Sequence, residues 1–425
     1  MTYRLKFNVH GLLLFLTAAT LHLLPVCHAE VDWSWRGPTG NGHAAPAKRD
    51  NIPAKWSASD NVIWKSDVPG RGHSSPIVAD GKIFLTTADE KQKKQSVLCY
   101  DLESGKQLWE KLCHESVTFP KQHPKNTHAS PTIAVLGERA FAVFCNDDAT
   151  HVTCLDFAGE IVWQKKIGPW IPAQYQFGFG QSPIVHDGKL IVTSESDADP
   201  FITALNPDDG ESIWKIKRPK KTSYGTPVVA NVGGREQLLT AGANVVSSYD
   251  PQTGKELWSV DTKWQVACGT LIWHPTEPIV YSSGGFPNKQ TLAIRADGEG
   301  EILWENNVKC YEQSMIIVDG CVYGYAEGGI LYCWDAISGE QLWRERLDGP
   351  ESASPVYVGG KLYFTSEKGK TWVIRPNRQS CDVVAENQLE DEMFASIAVA
   401  KNRLIMRVAD LKDGRHEWLY CVGNK

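Results

Sequence analysis

A phrase of about 44 residues recurs eight times between Ser75 and the C-terminus, and repetition at that period signals stacked units too small to bury a core alone. Each copy opens on a hydroxyl residue, at Ser75, Ser130, Ser182, Thr226, Thr270, Ser314, Ser354 and Ser396. Proline follows it at Pro76, Pro131, Pro183, Pro227 and Pro355. Most copies close on Gly-x-x-x-Trp or a near variant, with the ring at Trp109, Trp163, Trp214, Trp258, Trp304 and Trp343. Asn387 lies at about that place in the seventh copy, and the eighth ends before reaching it. One further ring of this kind, Trp64, precedes the first copy. That offset matters for closure.

Between turns, each copy holds short β-branched or alternating runs, such as Lys82–Thr87 and Ser96–Tyr100, which suit strands and are too short for helices. Asp101, Asp250 and Asp335 each begin an Asp-x-x-Ser/Thr-Gly turn, whose glycine accepts positive φ. The pattern predicts an all-β chain: an eight-bladed β-propeller of four-stranded antiparallel blades. The eighth copy supplies three strands, so the segment around Trp64 is expected to complete the last blade. An open seven-and-a-half-blade solenoid would instead expose a sheet edge at each end. The expected organisation is a signal peptide over 1–29, an extended segment over 30–60 and the propeller over 61–425.

The net charge of −6 without a basic run argues against nucleic acid as a partner. Arg4 and Lys6 precede the apolar run Gly11–Val26, and small residues flank a cleavage point after Ala29. This is the pattern of a secretory signal, pointing to a periplasmic or secreted protein. The run is too short and interrupted for an integral membrane span. Lipid attachment at Cys27 is disfavoured because Val26 sits where a small residue is wanted. Ten cysteines remain after cleavage, of which Cys99, Cys154, Cys333 and Cys421 share one repeat position. Ala204, Ser248 and Ala293 occupy it elsewhere, so it reads as a small-residue packing slot rather than a disulfide framework.

The copies resemble the pyrroloquinoline-quinone (PQQ) type β-propeller repeat, an apolar strand, Asp-x-x-Thr-Gly and a Trp shortly after. The likeness extends over about residues 60–423, and Trp33–Gly42 is similar to the start of many secreted bacterial members. That family holds quinoprotein dehydrogenases and cofactor-free scaffolds, including the lipoprotein subunit of the outer-membrane β-barrel assembly machinery. The dehydrogenase class implies PQQ and Ca²⁺, and in many members a disulfide between adjacent cysteines. No adjacent cysteine pair occurs here, and no calcium-ligand set aligns. The resemblance therefore implies a non-catalytic, monomeric scaffold binding a protein or envelope component, with no cofactor expected. A quinone- and calcium-dependent dehydrogenase and a glycan-binding or glycan-active propeller are the rivals.

Two sets of residues are candidates for binding. The connectors after Trp109 and Trp163 are longer than their neighbours and carry His123, Trp170, Tyr175, Phe177 and Phe179; long loops on a rigid frame are where recognition usually sits. The positions two residues before each opening hydroxyl form the second set: His73, His128, Gly180, Tyr224, Cys268, Glu312, Ser352 and Phe394. They should converge on one rim of the axial channel. The seven closing tryptophans, Trp64 included, are expected to be inter-blade packing.

Overall fold

The computed structural model describes residues 1–2, 31–44 and 52–424. The leader predicted over 1–29, apart from its first two residues, and the cleavage site and Cys27 lie outside the described residues. Those residues contain eight antiparallel sheets and no helix. Each sheet is a blade whose strands run in chain order from the channel outward. The eighth blade is the exception, as expected: its inner strands are Ala398–Ala400, Arg403–Asp410 and His416–Val422, and its outermost is Val62–Val68. The ring is closed.

Closure is also visible at the axis. The amide N–H of Ser75 donates to the Thr132 hydroxyl of the next blade at 3.0 Å, Thr132 to Ser182 at 2.9 Å, and Ser182 to Thr226 at 3.0 Å. Thr270 donates to Ser314, Ser314 to Ser354 and Ser354 to Ser396, each at 2.9 Å, and Ser396 returns to Ser75 at 3.0 Å. Among the described residues the step from Thr226 to Thr270 is the junction not bridged in this way, and the Thr270 hydroxyl accepts the Trp35 indole N–H instead. Only short hydroxyl side chains can reach across this gap, which explains why the position repeats. In the second blade the residue is Thr132, not Ser130. Its innermost strand begins at Ala134, so the motif Ser130-Pro131 stands two residues ahead of the true register. Ser130 Oγ instead donates to Asn126 Oδ1 at 2.6 Å within the connector.

The closing tryptophans join neighbouring blades. Trp64, Trp109, Trp163, Trp214, Trp304 and Trp343 each donate the indole N–H to a carbonyl in the following blade's outer turn, at 2.9–3.2 Å. The turn glycine lies against the same ring: a Cβ at Gly105 would come 2.5 Å from Trp64, and one at Gly339 2.5 Å from Trp304. Glycine is thus required twice, by positive φ and by the neighbour's indole. The predicted packing slot faces these rings across the outer strand pair, Cys99 opposite Trp109, Cys154 opposite Trp163, Cys333 opposite Trp343 and Cys421 opposite Trp64. None of the ten described cysteines is bridged.

Blade 7 departs from the sequence reading. The position equivalent to the closing tryptophan is Ala385, opposite Val373, and Asn387 has other work. Its side chain accepts from the Trp56 amide and donates to the Ala54 carbonyl, both at 2.9 Å. Trp56, nearly fully buried, stacks on Tyr363 at 6.2 Å. In four other blades the closing ring contacts the aromatic residue of the second strand, as in Phe84–Trp109 and Tyr323–Trp343. The N-terminal segment therefore delivers in space the ring that blade 7 lacks in sequence.

The same segment enters the channel. Val31–Trp33 pairs antiparallel with Ile77–Ala79 as a fifth strand of blade 1, which carries the chain upward along the axis. Trp35 Nε1 then reaches the Thr270 hydroxyl at 3.1 Å, and Arg36 Nη2 the Met315 carbonyl at 2.8 Å. Burial pushes the Arg36 guanidinium down to about 9.

Candidate functional site

With the N-terminal segment below and the connectors above, the channel becomes a cup of about 400 Å³. Trp35 lies at its floor. The hydroxyls of Ser75, Thr132, Ser182, Thr226, Ser314, Ser354 and Ser396 line its wall. Each accepts one amide N–H, so each retains its own O–H as a donor.

The rim read from sequence lines the cup in seven blades: His73, Gly180, Tyr224, Cys268, Glu312, Ser352 and Phe394. The eighth place belongs to Ser130, because of the register difference in blade 2. His128 stands outside the cup, stacked on Phe119 at 4.1 Å and 4°. His73 stacks on Phe394 at 4.2 Å, and burial holds its imidazole well below the usual histidine range.

The two long connectors meet over the mouth. Asn126 Nδ2 and the His123 amide both donate to the Phe177 carbonyl, at 2.8 and 3.2 Å. Tyr224 donates its hydroxyl to the Tyr175 carbonyl at 2.7 Å. His123 and Phe177 line the cup, and Tyr175 stacks beside Phe177 at 5.7 Å. Trp170 and Phe179 do not join them: they are 0% and 5% exposed, packed edge to face inside the core of blades 2 and 3.

Besides Trp35, His123, Asn126 and Phe177, three lining residues carry no repeat signal. Lys125, on the first long connector, crosses the mouth to bind Glu312 at 3.1 Å and Glu367 at 2.6 Å, on blades 6 and 7. Ser352 Oγ donates into the same pair of carboxylates. Phe286, from a turn in blade 5, packs edge to face on Tyr175 and Phe177. Tyr311 precedes Glu312 and packs into the same cluster as Tyr224 and Cys268. Near them Glu351 is buried, and desolvation followed by the Glu367 and Glu312 charges pushes its carboxyl up to about 9.

The dehydrogenase class would require a quinone bearing three carboxylates beside Ca²⁺. Lys125 is the cation that lines the cup, and two protein carboxylates already hold it. Among the described residues no three His, Cys, Asp or Glu side chains are grouped as a metal-ligand set. The donor chemistry here does not fit the quinone–calcium pair.

Comparison with known proteins agrees with the architecture. At 20% identity, residues align with the outer membrane protein assembly factor BamB of Yersinia pestis over 73% of this chain and 67% of that protein. A quinoprotein ethanol dehydrogenase of Pseudomonas aeruginosa is 28% identical over 49% of this chain. The match spans about a third of that enzyme's length (34%). The BamB structure from Moraxella catarrhalis superposes with a TM-score of 0.59 at 14% identity, covering 84% of this chain and 99% of that one. A quinohemoprotein alcohol dehydrogenase from Comamonas testosteroni gives 0.62 at 12% identity, over 89% and 81%. The family profile described as outer membrane protein assembly factor BamB matches residues 27–112, 93–267 and 288–419. Matched over most of its length, the chain belongs to that family of PQQ-type β-propellers.

Proposed function

We propose that this chain is an exported, monomeric, non-catalytic scaffold of the cell envelope, and that its connector-bearing face binds another protein. The observation that carries this reading is the clasped pair of long connectors. They are tied to each other through the Phe177 carbonyl and to the far side of the ring through Lys125. Loops fixed in this way lose little entropy on association. They leave Ile171 and Phe286 46% and 37% exposed beside Gln174 and Gln176, apolar area within a polar surround. The BamB relatives, described as outer membrane assembly factors, support the same class.

The test is photocrosslinking in envelope preparations. A crosslinkable residue at Ile171 should yield discrete protein adducts, while one at Ser104, in an outer turn, should not. The dehydrogenase relatives favour a second reading, quinone-dependent oxidation. Dye reduction by purified protein with PQQ, Ca²⁺ and an alcohol, without adducts from Ile171, would replace the first reading with the second. Specific glycan-array binding lost on changing Tyr175 and Phe177 to Ala would instead favour a carbohydrate ligand.

A further inference from the structure

The cup has an electrostatic and aromatic character that a protein-binding rim does not require. Four aromatic residues gather on one side of it: Phe177 lies 5.9 Å from Tyr224 and 6.1 Å from Phe286, and Tyr311 packs into the same cluster. Glu312 follows Tyr311 directly and lines the cup with it. Ring faces carry the negative lobe of the aromatic quadrupole, so a wall of rings next to a carboxylate attracts positive charge. Tyr311 already behaves this way: Lys309 Nζ lies 4.9 Å from its ring centroid while pairing with Glu327.

Formal charge at the mouth agrees. Glu312 and Glu367 contribute two negative charges against the one positive charge of Lys125. Burial holds His73 neutral and raises the Cys268 thiol and the Tyr224 and Tyr311 hydroxyls. Of the charged groups, Glu312 and Lys125 line the cup, with Glu367 beside them on blade 7, so the cluster at the mouth holds one carboxylate more than the single cation it binds. An anion would meet the Glu312 carboxylate there, and a neutral polyol would leave the cluster's surplus charge uncompensated.

We propose that the channel cup binds a small organic cation of the substituted-ammonium class, seated against Phe177, Tyr224, Phe286 and Tyr311 with Glu312 as its counter-charge. Lys125 is then an internal competitor that occupies part of the same carboxylate pair. The hydroxyl ring beneath supplies donors for an oxygen-bearing tail. This inference concerns the interior of the channel and stands apart from whether the outer face of the connectors binds a protein.

The experiment is calorimetric titration of the full exported chain with four probes: choline, its neutral isostere 3,3-dimethylbutan-1-ol, trehalose and citrate. Choline should bind at least tenfold more tightly than the isostere, and trehalose and citrate should give no saturable heat. Tyr311→Ala and Glu312→Gln should each weaken choline about tenfold or more, and Lys125→Gln should tighten it several-fold. Matching thermal melts establish that each variant is folded, with the isosteric Glu312→Gln as the decisive one. Equal affinity for choline and its isostere overturns the proposal in favour of a plain apolar pocket. Preference for trehalose or citrate overturns it too, as does choline binding that Glu312→Gln leaves unchanged.

Discussion

Substituting Gly105 by alanine tests ring closure where it matters, at the junction of blade 8 with blade 1. Gly105 has φ of 71° and Gly81, in an inner turn of the same blade, has 68°. The backbone cost of a Cβ is therefore the same at both, about 1–2 kcal/mol. Space separates them. The new Cβ at Gly105 would come 2.5 Å from Trp64 ring carbons and 2.6 Å from Ser66 Oγ, whereas at Gly81 nothing lies within 4 Å. Overpacking adds about 1–3 kcal/mol, so Gly105→Ala should cost about 2–5 kcal/mol and Gly81→Ala about 1–2. Trp64→Ala, itself worth about 3–5 kcal/mol, removes the ring and leaves the Ser66 hydroxyl. In that background the excess cost at Gly105 over Gly81 should shrink to the part due to Ser66, and the decrease is the coupling energy between Gly105 and Trp64. Urea unfolding followed by far-ultraviolet circular dichroism measures all three variants and the doubles, with equal m-values required for comparison. Equal costs in the parent background, or a Gly105→Ala penalty that is undiminished without the indole, would refute the placement of Trp64 on the first blade's turn.

Three further outcomes follow from the same geometry. Trp56→Ala should destabilise by about 3–5 kcal/mol, as much as loss of a repeat tryptophan, in the same urea assay; a cost under about 1 kcal/mol would mean that Tyr363 is packed by something else. Glu351, raised to about 9 by burial and its carboxylate neighbours, binds a proton in the folded chain that the unfolded chain releases above its ordinary value. Stability should thus fall as pH rises from about 4.5 towards 9, and Glu351→Gln should flatten that fall, with a gain of about 1–3 kcal/mol at pH 8 and none below about 4.5. Lys125→Ala should release the first connector from Glu312 and Glu367, seen as faster protease cleavage between 116 and 129 with little change in the global unfolding midpoint.

Legibility in the sequence depended on how often a feature occurs. The glycine turns, small slots and closing indoles can be read because several copies carry each position, and the physical demand at each is local: a positive φ, a short side chain, a ring within reach of the next blade. Ring closure was legible for the same reason, since Trp64 was a repeat residue displaced to the wrong end of the chain. Features that occur once behaved differently. In blade 2 two hydroxyls stand two residues apart, and Pro131 marked the wrong one; only strand pairing from Ala134 decides for Thr132. Trp170 and Phe179 had the composition of a recognition loop, yet an aromatic side chain next to an unfilled gap between blades is more stable buried.

The cup itself was the least legible part. Lys125 reaches Glu312 and Glu367 across the axis, Phe286 comes from an irregular turn, and Trp35 arrives from the stretch just after the added strand of blade 1, outside the repeat. None of these residues sits at a repeated position, and contacts at sequence separations of 187 and 235 residues leave no periodic trace. The repeat constrains each blade to the same backbone, so an axial site can acquire chemistry only where a blade breaks its own pattern. In this chain such breaks fall at the rim, in two connectors and in the N-terminal segment, and they converge on one cavity. Tyr224 is buried and donates its hydroxyl to the Tyr175 carbonyl, so Tyr224→Gly, which restores the residue found at Gly180, should cost about 3–5 kcal/mol while removing one of the four rings of the aromatic wall. A cost under about 1 kcal/mol in the urea assay would mean that this break in the repeat is not packed into the blade core.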